Sequence, residues 1–221
     1  MDKQGKIRLD LLMTERGLAA SREKARALIL AGQVVVGEHC CTKAGTLVSK
    51  DVVVRIKKEL VPFVSRGGVK LSAALDAFGF EPRGYVCLDV GASTGGFTDC
   101  LLQRGAQKVY AVDVGTNQLD WSLRSDARVV SIEQCHIKDL CLEQIIEPLD
   151  LIVADLSFIS LVKVIPYLSR FCTDNTRMLL LVKPQFEVGR EQVGKKGVVR
   201  SAKVQLEAVQ RVRQSLSLIH I

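Results

Sequence analysis

The chain has 221 residues, a formal net charge of +7 at pH 7, and 48% hydrophobic against 25% charged residues. These values are ordinary for a globular protein, so they exclude wholesale disorder and collagen-like fibres. Apolar runs such as Met178–Val182 have the length of a buried strand and fall far short of the ~18 residues that span a bilayer. The first ten residues are charged and predict no secretory signal, so we expect a cytoplasmic protein with no membrane partner.

The seven cysteines are scattered along the chain, and no two of them have the C-x-x-C spacing that suits zinc or a redox site. The adjacent pair Cys40 and Cys41 would point to opposite faces of a strand, which does not favour a shared metal ion. The sequence therefore predicts reduced thiols and no metal centre.

The positive charge is concentrated in the first third of the chain. Residues 1 to 70 hold 14 lysines and arginines against 7 aspartates and glutamates, whereas the two signs balance in residues 71 to 221. A basic module attached to a neutral body indicates a polyanionic partner such as a nucleic acid, although a solvated charged surface is the simpler alternative.

Helical spacing favours the nucleic-acid interpretation. Ser21 is a good N-cap and Gly32 a good C-terminal stop, so a helix is predicted between them, with Arg22 and Arg26 one turn apart on an exposed face. An amphipathic helix that starts near Leu9 precedes it. Two short strands are predicted after it, at residues 34 to 37 and 52 to 56.

This pattern resembles the small RNA-binding domain named after ribosomal protein S four. The matching residues are Arg8-Leu9-Asp10, Leu12, Gly17, Ser21-Arg22, Ala25, Ile29, Gly32, Val34 and Val36-Gly37. The resemblance implies an α+β RNA-binding domain at residues 1 to 62, followed by a linker and helix at residues 63 to 84. The candidate RNA-binding residues are Arg8, Arg22, Lys24, Arg26 and Arg66.

From Tyr85 onward, buried strands alternate with helices, which predicts a doubly wound α/β domain at residues 85 to 221. The first strand, Val86–Val90, runs into the glycine-rich loop Gly91-Ala92-Ser93-Thr94-Gly95-Gly96-Phe97. The loop is neither the G-x-G-x-x-G fingerprint of dinucleotide sites nor a phosphate-binding P-loop. Asp113 ends the next strand, where an acid can accept hydrogen bonds from ribose hydroxyls.

The loop, together with Asp89 before it, resembles the S-adenosylmethionine loop of class I methyltransferases. An acidic loop suits the cationic sulfonium of that cofactor better than it suits a pyrophosphate. The predicted cofactor-binding residues are Asp89, Gly91, Ala92, Ser93, Gly95, Gly96, Phe97, Asp113 and Glu133.

Four motifs occur in the order of the TlyA, or hemolysin A, family of ribosomal RNA 2'-O-methyltransferases, which the chain resembles over nearly its whole length. They begin at Ser65, Asp89, Ala154 and Leu181, and read SRGGVKL, DVGASTGGF, ADLSFIS and LVKPQFE. The resemblance implies an FtsJ-like catalytic domain, S-adenosylmethionine as cofactor, and ribosomal RNA or ribosomal subunits as partner, the target being a cytidine ribose. No stable protein partner is implied.

The family's catalytic set is Lys-Asp-Lys-Glu, and its first three members match Lys70, Asp155 and Lys183. Lys183 is the predicted base for the ribose 2'-hydroxyl, which must lose its proton as it attacks the methyl group. The fourth member and the closing strands of a seven-stranded sheet have no match before Ile221, and residues 215 to 221 look like a foreign or truncated tail. We therefore expect a truncated sheet and weak activity.

Three alternatives remain open at this stage. A non-catalytic protein could bind structured RNA and use the α/β domain as a scaffold. A hemolysin-like, membrane-active protein is a second class, although no amphipathic or spanning segment favours it. An NAD enzyme is a third, and the loop pattern does not favour it.

Overall fold

The computed structural model describes residues 5 to 56 and 62 to 218. The chain divides into two compact units, Met1–Leu60 and Val61–Ile221. Of the sequence predictions, residues 219 to 221 of the tail and residues 57 to 61 near the domain boundary lie outside the described residues.

The first unit is a small α+β domain. Its elements are β1 (Lys6–Arg8), α1 (Leu9–Glu15), α2 (Arg22–Leu30), β2 (Val34–Val36), β3 (His39–Cys41), β4 (Leu47–Ser49) and β5 (Val54–Ile56). β2 pairs with β3 and β5, and β1 pairs with β4, all antiparallel. As predicted, Ser21 caps α2 by accepting a hydrogen bond from the Lys24 amide, and Gly32 follows the helix in a left-handed conformation. Leu9, Met13, Ala25, Ile29 and Val34 form its core.

The second unit is an α/β domain with a five-stranded sheet. Its elements are α3 (Arg66–Phe78), β6 (Val86–Val90), α4 (Gly96–Gln103), β7 (Lys108–Val112), α5 (Trp121–Arg124), β8 (Val129–Ile132), β9 (Leu151–Ala154), α6 (Leu161–Leu168), β10 (Arg177–Leu180), α7 (Pro184–Glu187) and α8 (Ala202–Leu218). The strand order among the described residues is β10-β9-β6-β7-β8, and every pairing is parallel. The predicted fold class is confirmed.

Both faces of this sheet are buried, which is why its strands read as continuous apolar runs. Alternate residues of β6 belong to different hydrophobic clusters: Cys87 packs with α3 and α4, whereas Leu88 packs with α6. Residues 63 to 84, predicted as a linker and helix, contribute α3 to this unit, and α3 packs against α4. The parallel order places the carboxyl ends of β6, β7, β9 and β10 at one edge, where the predicted site residues lie.

Candidate active site

Two lysines and one aspartate meet at the carboxyl edge of the sheet. Asp155 follows β9, Lys183 follows β10, and Lys70 projects from α3. The Lys70 Nζ donates a hydrogen bond to Asp155 Oδ2 at 3.0 Å, and the Lys183 Nζ lies 2.6 Å from Asp155 Oδ1. Three residues far apart in the sequence are thus joined into one cluster.

The electrostatics of this cluster favour a charged aspartate. Burial acts to raise the pKa of Asp155, but the contacts with Lys183 and Lys70 outweigh it and hold that pKa below its ordinary value. Side-chain exposure is 19% for Lys183 and 50% for Lys70. Lys183 is therefore the more shielded amine, and its Nζ also donates a hydrogen bond to Ser157 Oγ at 2.8 Å.

A cavity of about 580 Å³ opens on one side of Asp155. Its wall includes Gly91 and Ser93 of the glycine loop, Asp113, and the segment Asp155–Ile159. The described lining contains two carboxylates and no lysine or arginine. Such a wall suits a cationic ligand and, within the described lining, offers no lysine or arginine to a pyrophosphate.

A second cavity of about 190 Å³ lies on the other side of the same residues. Lys70, Lys183, Ser65 and Phe97 line it, together with Ala92 and Thr94 of the loop. Gly91, Ser93, Asp155 and Ser157 line both cavities. The charged cluster therefore stands at the boundary between an acidic cavity and a smaller cavity lined by lysines.

The glycines of the loop serve different purposes. Gly91 has φ +82° and lines both cavities, and a Cβ there would lie 2.8 Å from Leu156. Gly95 has φ +93°, and a Cβ would lie 2.3 Å from Leu123. A side chain at Gly95 would thus collide with Leu123 of α5 and would not project into the ligand cavity. Gly96 lies against Ser65 and the backbone of Gly68, outside both cavity linings.

Asp89 lies in the core and lines neither cavity. Its Oδ2 accepts a hydrogen bond from Thr98 Oγ1 at 2.7 Å, whereas its Oδ1 has no hydrogen-bond partner among the described residues. Burial raises the pKa of Asp89 to about 7, and the bond from Thr98 only partly opposes this. Its assignment to cofactor binding stays a prediction.

The other two predicted cofactor acids bind backbone amides. Asp113 accepts from the Ser93 amide at 2.8 Å and from the Gly115 amide at 2.7 Å, so it ties the glycine loop to the end of β7. Glu133 lies outside the cavity lining, where it accepts from the Asn117 amide and pairs with Arg124. The cavity wall near Glu133 is formed instead by residues 135 to 137.

The sequence reasoning did not select Ser157 or Phe158, which follow Asp155 directly. Phe158 has φ +65° and is 92% exposed, and its ring centroid lies 5.4 Å from that of Phe186. An aromatic residue two or three positions after a strand-end aspartate was the available signal. Glu187 faces neither cavity, since its carboxylate accepts from Ser160 Oγ and the Leu161 amide and so caps α6.

In the first unit, the structure joins two of the candidate RNA-binding residues through a buried acid. Asp10 is fully buried, and its carboxylate binds Arg8 at 3.0 Å and Arg22 at 3.0 Å. These contacts, first that with Arg8, hold the pKa of Asp10 well below its usual range. Lys24 and Arg26 are exposed on α2 and have no acidic partner within the described residues, while Arg66 is exposed at the start of α3 in the second unit.

Comparison with known proteins agrees with this architecture. Residues 63–220 match the FtsJ-like methyltransferase family, and residues 7–54 match the S4 domain. YqxC of Bacillus subtilis is 44% identical over 94% of this chain and 74% of its own length. A 16S/23S rRNA (cytidine-2'-O)-methyltransferase TlyA of Mycobacterium tuberculosis is 46% identical over 92% of this chain and 76% of its own.

A solved structure from Streptococcus thermophilus, whose name contains the word hemolysin, has a TM-score of 0.74 and 39% identity. The alignment covers 98% of this chain and 79% of that one. No helix within residues 5–56 and 62–218 is both long and apolar enough to cross a bilayer. The resemblance inferred from the motifs is confirmed, and the chain belongs to the FtsJ-like methyltransferase family, in the group that carries an S4 domain and includes TlyA.

Proposed function

We propose that this protein is an S-adenosylmethionine-dependent methyltransferase that modifies the 2'-hydroxyl of a cytidine ribose in ribosomal RNA. The observation that carries the proposal is the Lys70, Asp155 and Lys183 cluster on the wall between the two cavities. A methyl donor on one side and an acceptor hydroxyl on the other would meet beside these charges. The TlyA relatives are named for that reaction.

The larger cavity fits the cofactor. S-adenosylmethionine supplies a methyl group carried on a cationic sulfur. Asp113 and Asp155 offer negative charge to such a ligand, and Gly91 lets the backbone approach it without a side chain. The predicted cofactor residues Ala92 and Phe97 line the smaller cavity, and we assign them to the boundary between cofactor and acceptor.

In this mechanism, Lys183 removes the proton of the attacking hydroxyl. In its neutral amine form, Lys183 would accept the proton from the 2'-hydroxyl as the ribose oxygen bonds to the methyl carbon, while the carbon–sulfur bond would break and S-adenosylhomocysteine would leave. The Nζ pairs with Asp155 and donates a hydrogen bond to Ser157 Oγ, so two contacts restrain the amine. Lys70, half exposed in the smaller cavity, stabilises negative charge that develops on the ribose oxygen.

RNA recognition is divided between base and backbone in this proposal. The S4 domain supplies lysine and arginine side chains for phosphate contacts. Phe158 presents an exposed ring beside the active site, and an aromatic ring of this kind stacks on an unpaired base. The Lys183 Nζ lies 5.9 Å from the Phe186 ring centroid, so the aromatic pair is close to the amine that we propose as the general base.

The test is methyl transfer from labelled S-adenosylmethionine to protein-free ribosomal RNA. We expect Lys183→Ala to lower the transfer rate by at least ~10²-fold, the usual cost of losing a general base, with unchanged affinity for S-adenosylhomocysteine. Lys163→Ala, which removes an exposed lysine of α6, is the matched control and should transfer normally. Equal transfer by the Lys183→Ala variant and the control would refute the assignment of the base.

The same assay addresses the non-catalytic alternative. A protein that binds both RNA and S-adenosylhomocysteine but leaves the RNA unmethylated would be an RNA-binding protein with a methyltransferase scaffold. The position of any methyl group is read by nuclease digestion, since a 2'-O-methylated ribose protects the adjacent phosphodiester bond.

A further inference from the structure

A basic segment with a hairpin at Gly194–Val198 follows the active-site segment of the second unit, and no step of the mechanism uses it. Residues 190 to 203 carry five basic side chains and a single acid, Glu191. The five are exposed, and none has an acidic partner within the described residues: Arg190, Lys195, Lys196, Arg200 and Lys203. Because residues 71 to 221 are neutral as a whole, the average charge hides this cluster.

Several other basic residues of the unit have acidic partners. Arg104, Lys108, Arg124 and Arg128 all form ion pairs with carboxylates. Five unpaired cations on one short segment repel one another and find no compensation in the described fold. The electrostatic repulsion in such a cluster is small only when water and counterions surround it. Binding to a polyanion is favourable because counterions are released.

The backbone of the hairpin is fixed. The Gly194 amide donates to Val198 O at 3.1 Å, and the Gly197 amide donates to Gly194 O at 3.1 Å. Val199 is buried, and its carbonyl accepts a bond from Gln205 of α8. At the other end, the Arg211 side chain donates to Glu187 O at 2.6 Å. The tip is thus held between two anchored ends.

The tip carries backbone strain at a lysine. Lys196 has φ +76°, a left-handed conformation that glycine or asparagine adopts more readily. Gly197 beside it has φ +73° without strain. Glycine would adopt this backbone conformation at lower cost, but it would lack the lysine side chain. Here the side chain is an ammonium group at the end of a rigid turn.

We infer that the hairpin Gly194–Val198 is an RNA-backbone-binding element of the catalytic unit, in which Lys195 and Lys196 contact phosphates next to the target nucleotide. The inference rests on the proposed function, since it takes RNA as the substrate. The hairpin follows α7, which itself follows Lys183, so the chain places these ammonium groups directly after the active-site segment. Its fixed backbone lowers the ordering cost of binding.

An anionic membrane surface is the competing polyanion. Membrane-surface segments insert large apolar or aromatic side chains between the headgroups. Residues 190 to 203 contain no aromatic residue, and their apolar members are valines and one alanine. The charge pattern without an apolar face favours RNA.

The experiment compares charge-matched variants of the full chain on purified 23S ribosomal RNA. We expect Lys195→Gln/Lys196→Gln to weaken RNA affinity roughly threefold to tenfold per lysine and to lower the slope of log affinity against log salt by about one per contact. The KM for RNA should rise with unchanged kcat and unchanged affinity for S-adenosylhomocysteine. The control is Arg83→Gln/Arg177→Gln, which removes the same charge from the amino ends of β6 and β10.

A second variant separates function from folding. Lys196→Gly removes one charge and relieves the left-handed strain, so it should raise the melting temperature while it weakens RNA binding. The inference is overturned if both hairpin variants bind RNA as wild type does, or if the Arg83/Arg177 control loses as much affinity. It is also overturned if the hairpin variants lose only binding to phosphatidylserine vesicles. A wild-type chain that neither binds nor methylates the RNA would refute the proposed function itself.

Discussion

Asp89 is a fully buried carboxyl group whose pKa burial raises to about 7. An aspartate in the unfolded chain titrates near 3.9. Between these two values the folded state holds a proton that the unfolded state releases, so the stabilising contribution is complete at low pH and is lost as the pH rises to about 7.

We therefore expect Asp89→Asn to flatten the pH dependence of stability. The carboxamide oxygen can still accept the bond from Thr98 Oγ1, but the side chain never ionises. Thermal unfolding of the two proteins should show a melting-temperature difference that shifts in favour of the variant from pH 5 to pH 8. A difference that is constant over this range would mean that Asp89 does not titrate there.

At the residue scale, the sequence predicted the groups that stand at strand ends. Asp155 and Lys183 were predictable because an ionisable residue after a buried strand must lie at the sheet edge. Lys70 was found only through the family motif, since its contact with Asp155 joins a helix to a strand far along the chain. The binding of Arg22 to Asp10 was not predicted, because helical spacing shows which face a side chain shares but not its partner.

At the element scale, the crossing of α3 and α4 positions Lys70. The first turns of these helices meet at glycines: a Cβ on Gly96 would lie 2.1 Å from Ser65 Oγ and 2.9 Å from the Gly68 backbone nitrogen. Glycine costs a helix about 1 kcal/mol relative to alanine, so helix propensity alone would favour a substitution. The close approach opposes it.

We expect Gly96→Ala to destabilise the protein by roughly 1–3 kcal/mol, the usual cost of overpacking, despite its gain in helix propensity. The displaced α3 would also carry Lys70 away from Asp155, so methyl transfer should fall more than cofactor affinity. Chemical denaturation and the transfer assay measure the two effects. Gly5→Ala, where no atom lies within 4 Å of the added Cβ, is the control. A Gly96→Ala variant as stable as this control would show that the crossing can relax.

The long elements were predictable and the short ones were not. The buried runs Val86–Val90 and Met178–Val182 predicted β6 and part of β10, because parallel strands covered on both faces carry no polar alternation. β1, β3 and β4 were missed, since three residues such as Lys6–Arg8 contain no periodicity to detect. α8 extends to Leu218, into the residues that were expected to form a foreign or truncated tail.

At the scale of the whole molecule, positive charge is present on both units in different forms. On the S4 domain it dominates the net charge, whereas on the catalytic unit, whose charges balance overall, residues 190 to 203 form a local excess. The net charge of residues 1 to 70 revealed the basic S4 domain. The neutral sum over the 151 residues from 71 to 221 concealed the local cluster of five basic side chains. The doubly wound α/β class followed from the alternation of strands and helices, whereas the strand order came from the structure.

The two basic surfaces that we propose to bind one RNA make a combined prediction. Lys24→Gln/Arg26→Gln on α2 avoids Arg22, whose loss would leave the buried Asp10 without one of its partners. Combined with Lys195→Gln/Lys196→Gln, the losses of binding free energy should add and the reductions in salt slope should sum. Filter binding to 23S ribosomal RNA over a salt series measures both. If the fourfold variant bound RNA as tightly as the more impaired of the two double variants, the two surfaces would not engage the same RNA together.

The glycine crossing also matters to anyone who wishes to engineer a more heat-resistant version of this enzyme. Replacing glycines by alanine is a common way to stiffen the unfolded chain, with a gain of about 0.4–1 kcal/mol at a compatible position. Gly96 and Gly68 would be selected by such a scheme because they lie in helices, and both would fail, since a Cβ on Gly68 would lie 2.3 Å from Phe63. Gly45 is the better target: its backbone is not left-handed, and an added Cβ would rest 3.6 Å from the Arg8 guanidinium, an ordinary contact. Stabilisation by design therefore belongs in the S4 domain and not at the helix crossing that supports catalysis.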